Sequence, residues 1–198
     1  MSTPQTSLHQ NFHERAYTIR RKVLTLAGAK FHVYAADGRL LFFTHMKAFK
    51  LKEDIRIYAD ETMKQELVSI KARQILDFGA TYDVTDSPSQ QKVGALRRKA
   101  IKSVIRDEWE ILDATDRSIG IIQEESLLGA LLRRFINWIP QRYVAQLGAS
   151  PVGTYRQGWN PFVFRIFTDL TADAAGKLDR RMAIAGGILL CAIERRQG

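Results

Sequence analysis

Apolar and polar residues alternate along most of the chain before residue 170. In DIRIY, Ile55 and Ile57 alternate with Arg56 and Tyr58, and ELVSIKAR and DFGATYDV repeat the pattern. A period of two places the apolar side chains on one face of a β-strand, which is typical of an antiparallel sheet with one solvated face. FVFRIF is apolar on both faces, so we expect a further layer of protein to cover that strand.

A faint internal repeat marks the turns between strands. VYAADGRLLF, YDVTDSPSQQKVG and WEILDATDRSIG each run from an apolar strand into an aspartate (Asp37, Asp86 or Asp113), and a polar turn then leads into a second strand. Aspartate and glycine form tight turns readily. The repeat therefore predicts antiparallel hairpins, about 10 to 12 strands in total. It assigns the three aspartates to turns rather than to catalysis.

Residues 182–193 are all apolar or small and lie between two pairs of arginines. As a helix they are about 18 Å long, whereas a membrane-spanning helix must cross about 30 Å. A helix that is apolar on every side is buried, and this one matches the height of a tilted barrel. The alternative is a membrane anchor, because Ala183, Gly187 and Cys191 are small residues spaced four apart, as in packed membrane helices. We predict a central helix with the core residues Met182, Ile184, Gly186, Gly187, Leu189, Leu190 and Ile193.

Three further features complete the predicted architecture. Thr171 or Asp173 is suited to cap the N-terminus of the central helix. SLLGALLRRFINWIPQR, which begins at Ser126 and stops at Pro140, predicts an amphipathic helix that covers the sheet, with a position on a membrane as the alternative. Residues 1–16 are polar and predict a disordered tail before a single domain that spans 17–198. The predicted fold is therefore mainly β: a closed antiparallel barrel around a hydrophobic C-terminal helix, with one extra surface helix.

The amino-acid composition indicates the cellular compartment and the kind of partner. The chain has 198 residues and a formal net charge of +9, which favours an anionic partner such as a lipid surface, an acidic ligand or nucleic acid. Cys191 is the only cysteine, so an intrachain disulfide is excluded and a reducing compartment is the simplest interpretation. The polar N-terminus lacks the apolar region of a secretory signal. We expect a cytoplasmic protein, in part at the inner membrane surface.

Three segments carry a resemblance to a known family: KFHVYAADGRLLFF, VGALRRKAIKSVIRDEWEILDATDRSIG and LDRRMAIAGGILLCAIE. In their order and spacing, from about residue 17 to residue 196, the chain resembles a bacterial member of the LURP-one-related family. That family shares its architecture with the phospholipid scramblases and the Tubby C-terminal domain. The resemblance implies a twelve-stranded barrel around a central hydrophobic helix. Proteins with this architecture include members that bind phosphoinositides and members that move lipids, so the resemblance implies a function at lipid surfaces. The LURP-one-related branch itself has no settled biochemistry.

Scramblases carry an acidic, calcium-associated segment before their last helix, and here Asp169, Asp173 and Asp179 occupy that region. Calcium takes six to eight oxygen ligands at closely spaced positions, and three spread aspartates do not supply them. The cysteine-rich lipidation segment of scramblases is missing as well. The chain also lacks a Gly-rich phosphate loop, HExxH, CxxC and GxSxG. We therefore expect no metal, no cofactor and no enzymatic activity.

The most suggestive cluster of charge is LRRKAIK, which we expect to join two strands at one rim of the barrel. This basic rim, together with the two arginines of the amphipathic helix, predicts a site for anionic lipid headgroups or another acidic ligand. One alternative is a scramblase-like transporter with a membrane-inserted C-terminal helix. The other is a nucleic-acid binder, which ranks lower because Trp109, Phe78 and Phe164 fall on core faces rather than among the basic groups. The oligomeric state stays open. The predicted ligand residues are Arg97, Arg98, Lys99, Lys102, Arg133 and Arg134.

Overall fold

The computed structural model describes residues 8–22, 28–47, 54–73, 79–99, 108–125, 140–158, 160 and 163–193. Within these residues twelve antiparallel strands form one closed barrel. Each strand pairs with its neighbours in the chain, and β1 pairs with β12 to close the ring. The strands are β1 (Ala16–Lys22), β2 (Gly28–Tyr34), β3 (Leu40–Lys47), β4 (Asp54–Tyr58), β5 (Glu66–Ala72), β6 (Thr81–Asp86), β7 (Gln91–Lys99), β8 (Glu108–Leu112), β9 (Ser118–Glu124), β10 (Arg142–Leu147), β11 (Ser150–Gly158) and β12 (Val163–Asp169).

The alternation of the sequence becomes the inside and the outside of this barrel. In β4, Ile55 and Ile57 are buried while their three neighbours are partly exposed. In β12, Phe164 and Ile166 are buried on the inner face. The predicted mainly β fold with a closed barrel around a C-terminal helix is confirmed.

Asp37 and Asp113 lie in turns, as predicted, and Asp86 is the last residue of β6, where the turn begins. Asp37 Oδ1 accepts a hydrogen bond from the backbone N–H of Arg39 at 2.9 Å. Asp113 Oδ1 accepts from the N–H of Thr115 at 2.8 Å, and this turn lowers the pKa of Asp113 to about 2, mainly through the Thr115 hydroxyl. Asp86 Oδ2 accepts from the N–H of Ser89 at 3.0 Å. Each carboxylate satisfies backbone donors that the strands leave unpaired.

The central helix α1 (Arg180–Ile193) lies inside the barrel. Its predicted core residues from Met182 to Leu190 are buried, and the side chain of Ile193 lies outside the described residues. Tyr155 of β11 donates a hydrogen bond from its hydroxyl to the carbonyl oxygen of Ala183 at 2.9 Å, so the sheet is tied to the helix backbone. The prediction of a buried helix is confirmed, and the alternative of a membrane anchor is wrong for this fold.

Gly186 and Gly187 lie where the helix closely approaches the barrel wall. A Cβ atom at residue 187 would lie 2.5 Å from Ile19 Cδ1, and one at residue 186 would lie 3.0 Å from Ile122 Cδ1. Glycine costs about 1 kcal/mol relative to alanine inside a helix. The close approach of β1 and β9 accounts for that cost.

The predicted N-cap is wrong. The helix begins one residue after Asp179, whose Oδ1 accepts from the N–H of Arg181 at 2.8 Å. Asp173 instead accepts from the N–H groups of Lys177 and Leu178, at 2.8 and 3.0 Å, and so shapes the loop before the helix. Thr171 donates its hydroxyl to Asp169 at 2.6 Å. The loop uses the earlier polar residues for its own turns, which leaves the cap to Asp179.

The described part of the predicted N-terminal tail is packed against the barrel. Residues 10–13 form a 3₁₀ helix, and Phe12 is 2% exposed, with its ring 4.6 Å from that of Phe42. Asn11 Nδ2 donates to the carbonyl oxygen of Leu41 at 2.6 Å. In these residues the structure differs from the predicted tail because one aromatic side chain finds a place in the core. The predicted amphipathic helix after Ser126 lies outside the described residues.

Candidate anion-binding face

The described residues of the predicted basic rim, Arg97, Arg98 and Lys99, do not present a common cationic surface. Arg97 and Lys99 lie on the outer face of β7, and each pairs with a carboxylate of β8. Arg97 Nε is 2.8 Å from Glu110 Oε2, and Lys99 Nζ is 2.7 Å from Glu108 Oε1. Arg98 is the register partner of buried Trp109 and therefore shares the inner face with it.

The charges of Arg97 and Lys99 in the predicted rim are balanced locally. The bond to Glu108 is the main reason that the pKa of Lys99 lies above its ordinary value. The pKa of Glu110 is lowered mainly by a hydrogen bond from Ser118, and Arg97 lowers it further. The remaining predicted ligand residues, Lys102, Arg133 and Arg134, lie outside the described residues. The rim as a ligand site stays a prediction.

Ion pairs also neutralise most of the outer surface from β4 to β9. Arg56 binds Asp54 and Glu66, and Arg73 Nη2 is 2.7 Å from Asp83 Oδ1 and binds Asp116 as well. This half of the barrel therefore has little uncompensated positive charge among the described residues. Further pairs on the same surface are Lys92–Asp116 at 2.6 Å and Arg117–Asp113 at 2.9 Å.

Four arginines from the other side of the barrel form a second cationic surface. Arg20 of β1 is the register partner of Arg165 of β12, and Arg142 of β10 is the register partner of Arg156 of β11. Their four strands are adjacent in the closed sheet. We call this surface the basic face, defined by Arg20, Arg142, Arg156 and Arg165.

The basic face is not neutralised in the way that the opposite surface is. Arg142 Nε lies 2.9 Å from Glu125 Oε2, with both side chains about half exposed. Within the described part of the chain, Arg20, Arg156 and Arg165 make no ion pair, and the Nε of Arg165 is buried without a hydrogen-bond acceptor. Like charges placed opposite each other across a sheet are destabilising by up to about 1 kcal/mol. An anion bound here would relieve that repulsion.

Aromatic rings hold two of these arginines in place. The guanidinium carbon of Arg20 lies 4.6 Å from the ring centre of Tyr34, and that of Arg156 lies 4.8 Å from the ring centre of Phe167. A Cβ atom at Gly158 would lie only 2.7 Å from the ring of Phe167. The absence of a side chain at residue 158 therefore lets this ring lie against the sheet beneath Arg156.

A groove with a volume of about 470 Å³ runs over the outer surface where β1, β10, β11 and β12 meet. The residues that line it include two arginines, three threonines of the outer surface, one phenylalanine and one aspartate. These are Arg142, Arg156, Thr18, Thr154, Thr171, Phe167 and Asp169.

The three aspartates considered as calcium ligands serve separate structural roles. Asp169 and Asp173 accept hydrogen bonds within their turns, and Asp179 caps the helix. Asp173 also pairs with Arg180, whose Nη1 lies 3.1 Å from Oδ2. The described residues contain no group of three or more His, Cys, Asp or Glu side chains that could hold a metal ion.

Sequence reasoning missed the basic face because its arginines belong to four separated segments. Arg142, Arg156 and Arg165 each lie among uncharged neighbours and Arg20 belongs to the short run RRK, so neither AYTIRRK nor VFRIFTD stands out by charge density as LRRKAIK does. The available signal was the scarcity of acidic residues at the outer positions of β1 and β12, where Asp169 at the end of β12 is the only one. This signal can be recognised only when the pairing of β1 with β12 is known.

Comparisons with known proteins agree with the architecture. In the described residues no helix combines the length and apolar character needed to cross a membrane. The crystal structure of a protein from Arabidopsis thaliana is similar in fold, with a TM-score of 0.51, 14% sequence identity, and coverage of 96% of this chain and 98% of the plant chain. No curated protein sequence matches the chain. The family model described as LURP-one-related matches residues 40–185, and the chain therefore belongs to the LURP-one-related family.

Proposed function

We propose that this protein is a non-catalytic barrel module that binds anionic phospholipid headgroups at a membrane surface through the basic face. The observation that carries the proposal is the juxtaposition of Arg20, Arg156 and Arg165, which make no ion pair within the described residues. Cationic side chains near an anionic surface contribute about 1 kcal/mol each. The net charge of +9 supports the same kind of partner.

The arrangement of the basic face favours a lipid surface over nucleic acid. A protein that binds single-stranded nucleic acid stacks bases on exposed aromatic faces. Here the rings of Tyr34 and Phe167 are covered by Arg20 and Arg156, with the guanidinium groups 4.6 and 4.8 Å from the ring centres. The guanidinium edges stay available to anionic oxygens, whereas these ring faces are already occupied.

The position of the central helix favours peripheral binding over a scramblase-like mechanism. Ala183, Ile184 and Ala185 have no measurable exposure, and the helix is bonded to the barrel through Tyr155 and Arg181. Inserting this helix into a bilayer would require the barrel to open. A module that keeps the helix inside and presents arginines outside needs no such rearrangement.

Liposome co-sedimentation at physiological salt tests the proposal with two matched double variants. R20Q/R156Q removes two cations from the basic face, and R97Q/K99Q removes two cations from the predicted rim. The first variant should weaken partitioning onto anionic vesicles by about 2 kcal/mol, or roughly thirtyfold. The second should retain most of the binding because its charges are already balanced by Glu110 and Glu108. Thermal unfolding of both variants checks that the barrel is intact.

Three results would contradict the proposal. Equal recovery of the unmodified protein with anionic and with neutral vesicles would reject lipid-headgroup binding. A loss confined to R97Q/K99Q would move the site from the basic face to the predicted rim. In a parallel gel shift at moderate salt, a retained complex together with no vesicle binding would favour nucleic acid.

A further inference from the structure

The groove on the basic face is built from two parallel rows of outward side chains. The first row contains the register partners Thr18, Phe167, Arg156 and Arg142. Two residues further along the strands, about 7 Å away, the second row contains Ala16, Asp169 and Thr154. The groove therefore has guanidinium groups at one end and a carboxylate at the other.

The carboxylate end of the groove keeps one oxygen for a ligand. Asp169 Oδ1 accepts hydrogen bonds from the N–H and the hydroxyl of Thr171, at 2.9 and 2.6 Å. Within the described residues Oδ2 makes no hydrogen bond. The two bonds from Thr171 hold the pKa of Asp169 below its ordinary value, so the group is ionised at neutral pH. A simple phosphate in the groove would be attracted at one end and repelled at the other.

The arginine end is held in position by its neighbours. The Phe167 ring lies over Gly158, and the Arg156 guanidinium lies over that ring at 4.8 Å. A guanidinium that is already stacked loses little freedom when it binds a phosphate with its edge. The hydroxyls of Thr18 and Thr154 line the same groove and can donate to further oxygens.

We propose that this groove binds a phosphate group joined through a two-carbon link to an ammonium group, with the phosphate on Arg156 and Arg142 and the ammonium on Asp169. The compound class includes phosphoethanolamine, free or as the headgroup of a phospholipid. The inference rests on the proposed function, because it places a specific headgroup within the basic face. A ligand with both charges satisfies both ends of the groove, whereas a phosphate without an amine satisfies only one.

Titrations followed by ¹H–¹⁵N NMR test the proposal with three soluble probes: phosphoethanolamine, glycerol 3-phosphate and ethanolamine. Phosphoethanolamine should shift the amide signals of Thr154, Arg156 and Asp169 and should bind about fivefold more tightly than glycerol 3-phosphate, the gain expected of one exposed ion pair. The D169N variant should bind the two phosphates equally. Asparagine can accept the same two bonds from Thr171, so the turn is retained. R156Q should lose both phosphates.

Vesicles distinguish the two sources of the headgroup. At fixed anionic lipid content, a preference for phosphatidylethanolamine over phosphatidylcholine that D169N abolishes assigns the lipid headgroup, and a preference seen only with the soluble probes assigns the free compound. Equal affinity of the unmodified protein for phosphoethanolamine and glycerol 3-phosphate overturns the inference. If anionic vesicles still retain the protein in that event, the proposed function stands. A soluble preference without any vesicle binding rejects the proposed function alone.

Discussion

Individual polar atoms inside the barrel have no hydrogen-bond partners among the described residues. The hydroxyl of Thr168 is one of them, together with the hydroxyl of Thr44 and the indole N–H of Trp109. Thr168 is 3% exposed and faces the central helix, where its Oγ1 would lie 3.3 Å from a Cβ atom at Gly187. A buried hydroxyl without a partner costs about 1 to 3 kcal/mol.

Replacing this threonine by valine should therefore not destabilise the protein. T168V keeps the shape of the side chain and removes the unsatisfied hydroxyl, so the free energy of unfolding should be unchanged or higher by about 1 kcal/mol. Denaturant unfolding of T168V and of the matched outer-face variant T85V provides the measurement. T85V should change stability by less than about 0.5 kcal/mol. A loss above about 1 kcal/mol in T168V alone would show that its hydroxyl is bonded.

At the scale of single residues, the sequence predicts a hydrogen bond well when one side chain is close to its backbone partner along the chain. It predicts the bond poorly when several side chains compete for the same backbone group. The turn aspartates Asp37, Asp86 and Asp113 were predicted because each bonds to a backbone group within a few residues. The N-cap was assigned to Thr171 or Asp173 although Asp179 holds it. Every one of these side chains can accept a backbone N–H, and only the path of the loop selects which of them meets the first turn of the helix.

Among the elements, the central helix is tied to the strands at both of its ends. At the N-terminal end Arg181 Nη1 lies 2.9 Å from Asp86 Oδ1, which joins the helix to the end of β6. At the C-terminal end Arg21 Nη1 of β1 lies 3.3 Å from the carbonyl oxygen of Cys191. Cations are favourable at the negative end of the helix dipole.

The tie to Asp86 should be visible in the pH dependence of stability. Burial acts to raise the pKa of Asp86, but bonds from Ser89 and Arg181 outweigh it, and the net pKa lies below 3.8. Because folding favours the ionised form, this contribution is complete above the unfolded pKa and disappears as the pH falls through the lower folded pKa. D86N should lower the free energy of unfolding at pH 7 by about 1 to 2 kcal/mol. Its difference from the unmodified protein should shrink below pH 3.8.

Thermal unfolding between pH 2 and pH 7 measures this effect. D37N is the matched control, since Asp37 occupies a comparable turn and bonds to Arg39 rather than to the helix. D37N should lower stability at pH 7 by less than D86N does. A D86N difference that stays constant down to pH 2 would contradict the assigned ion pair.

The elements themselves were largely predictable because their periods are local. DIRIY, ELVSIKAR and FVFRIF carry their alternation within single strands, and β4, β5 and β12 occupy these segments. The length of the apolar run was enough to favour a buried helix over a membrane anchor. The packed 3₁₀ helix was missed because QNFH carries only one apolar residue, and the site that receives Phe12 belongs to a distant part of the chain.

For the whole molecule, the single cysteine reports whether the barrel stays closed on a membrane. Cys191 has no measurable exposure inside the barrel. With anionic vesicles present, its labelling by a membrane-permeant maleimide should remain as slow as in the free protein. Rapid labelling only when vesicles are present would show that the helix leaves the barrel. The unfolded protein in denaturant provides the fully reactive control.

The candidate site could not be predicted at the level of the whole molecule. Local charge density directed attention to LRRKAIK, where Glu108 and Glu110 of the next strand balance Lys99 and Arg97. Arg20 and Arg165 meet only because the first and last strands pair. The sequence predicted a closed barrel but not its register, and the register decides which outward side chains become neighbours.

Closure of the ring by β1 and β12 also restricts how partners can be recruited. Many proteins capture extended peptides, or copies of themselves, by adding a strand to an open sheet. Here the edges of the first and last strands, which an open sheet would leave unpaired, form backbone hydrogen bonds with each other. Recognition along the barrel wall must therefore be carried by side chains. The outward side chains of the strands, and the ligand preference with them, can change from one family member to another while the backbone hydrogen bonds between the strands stay the same.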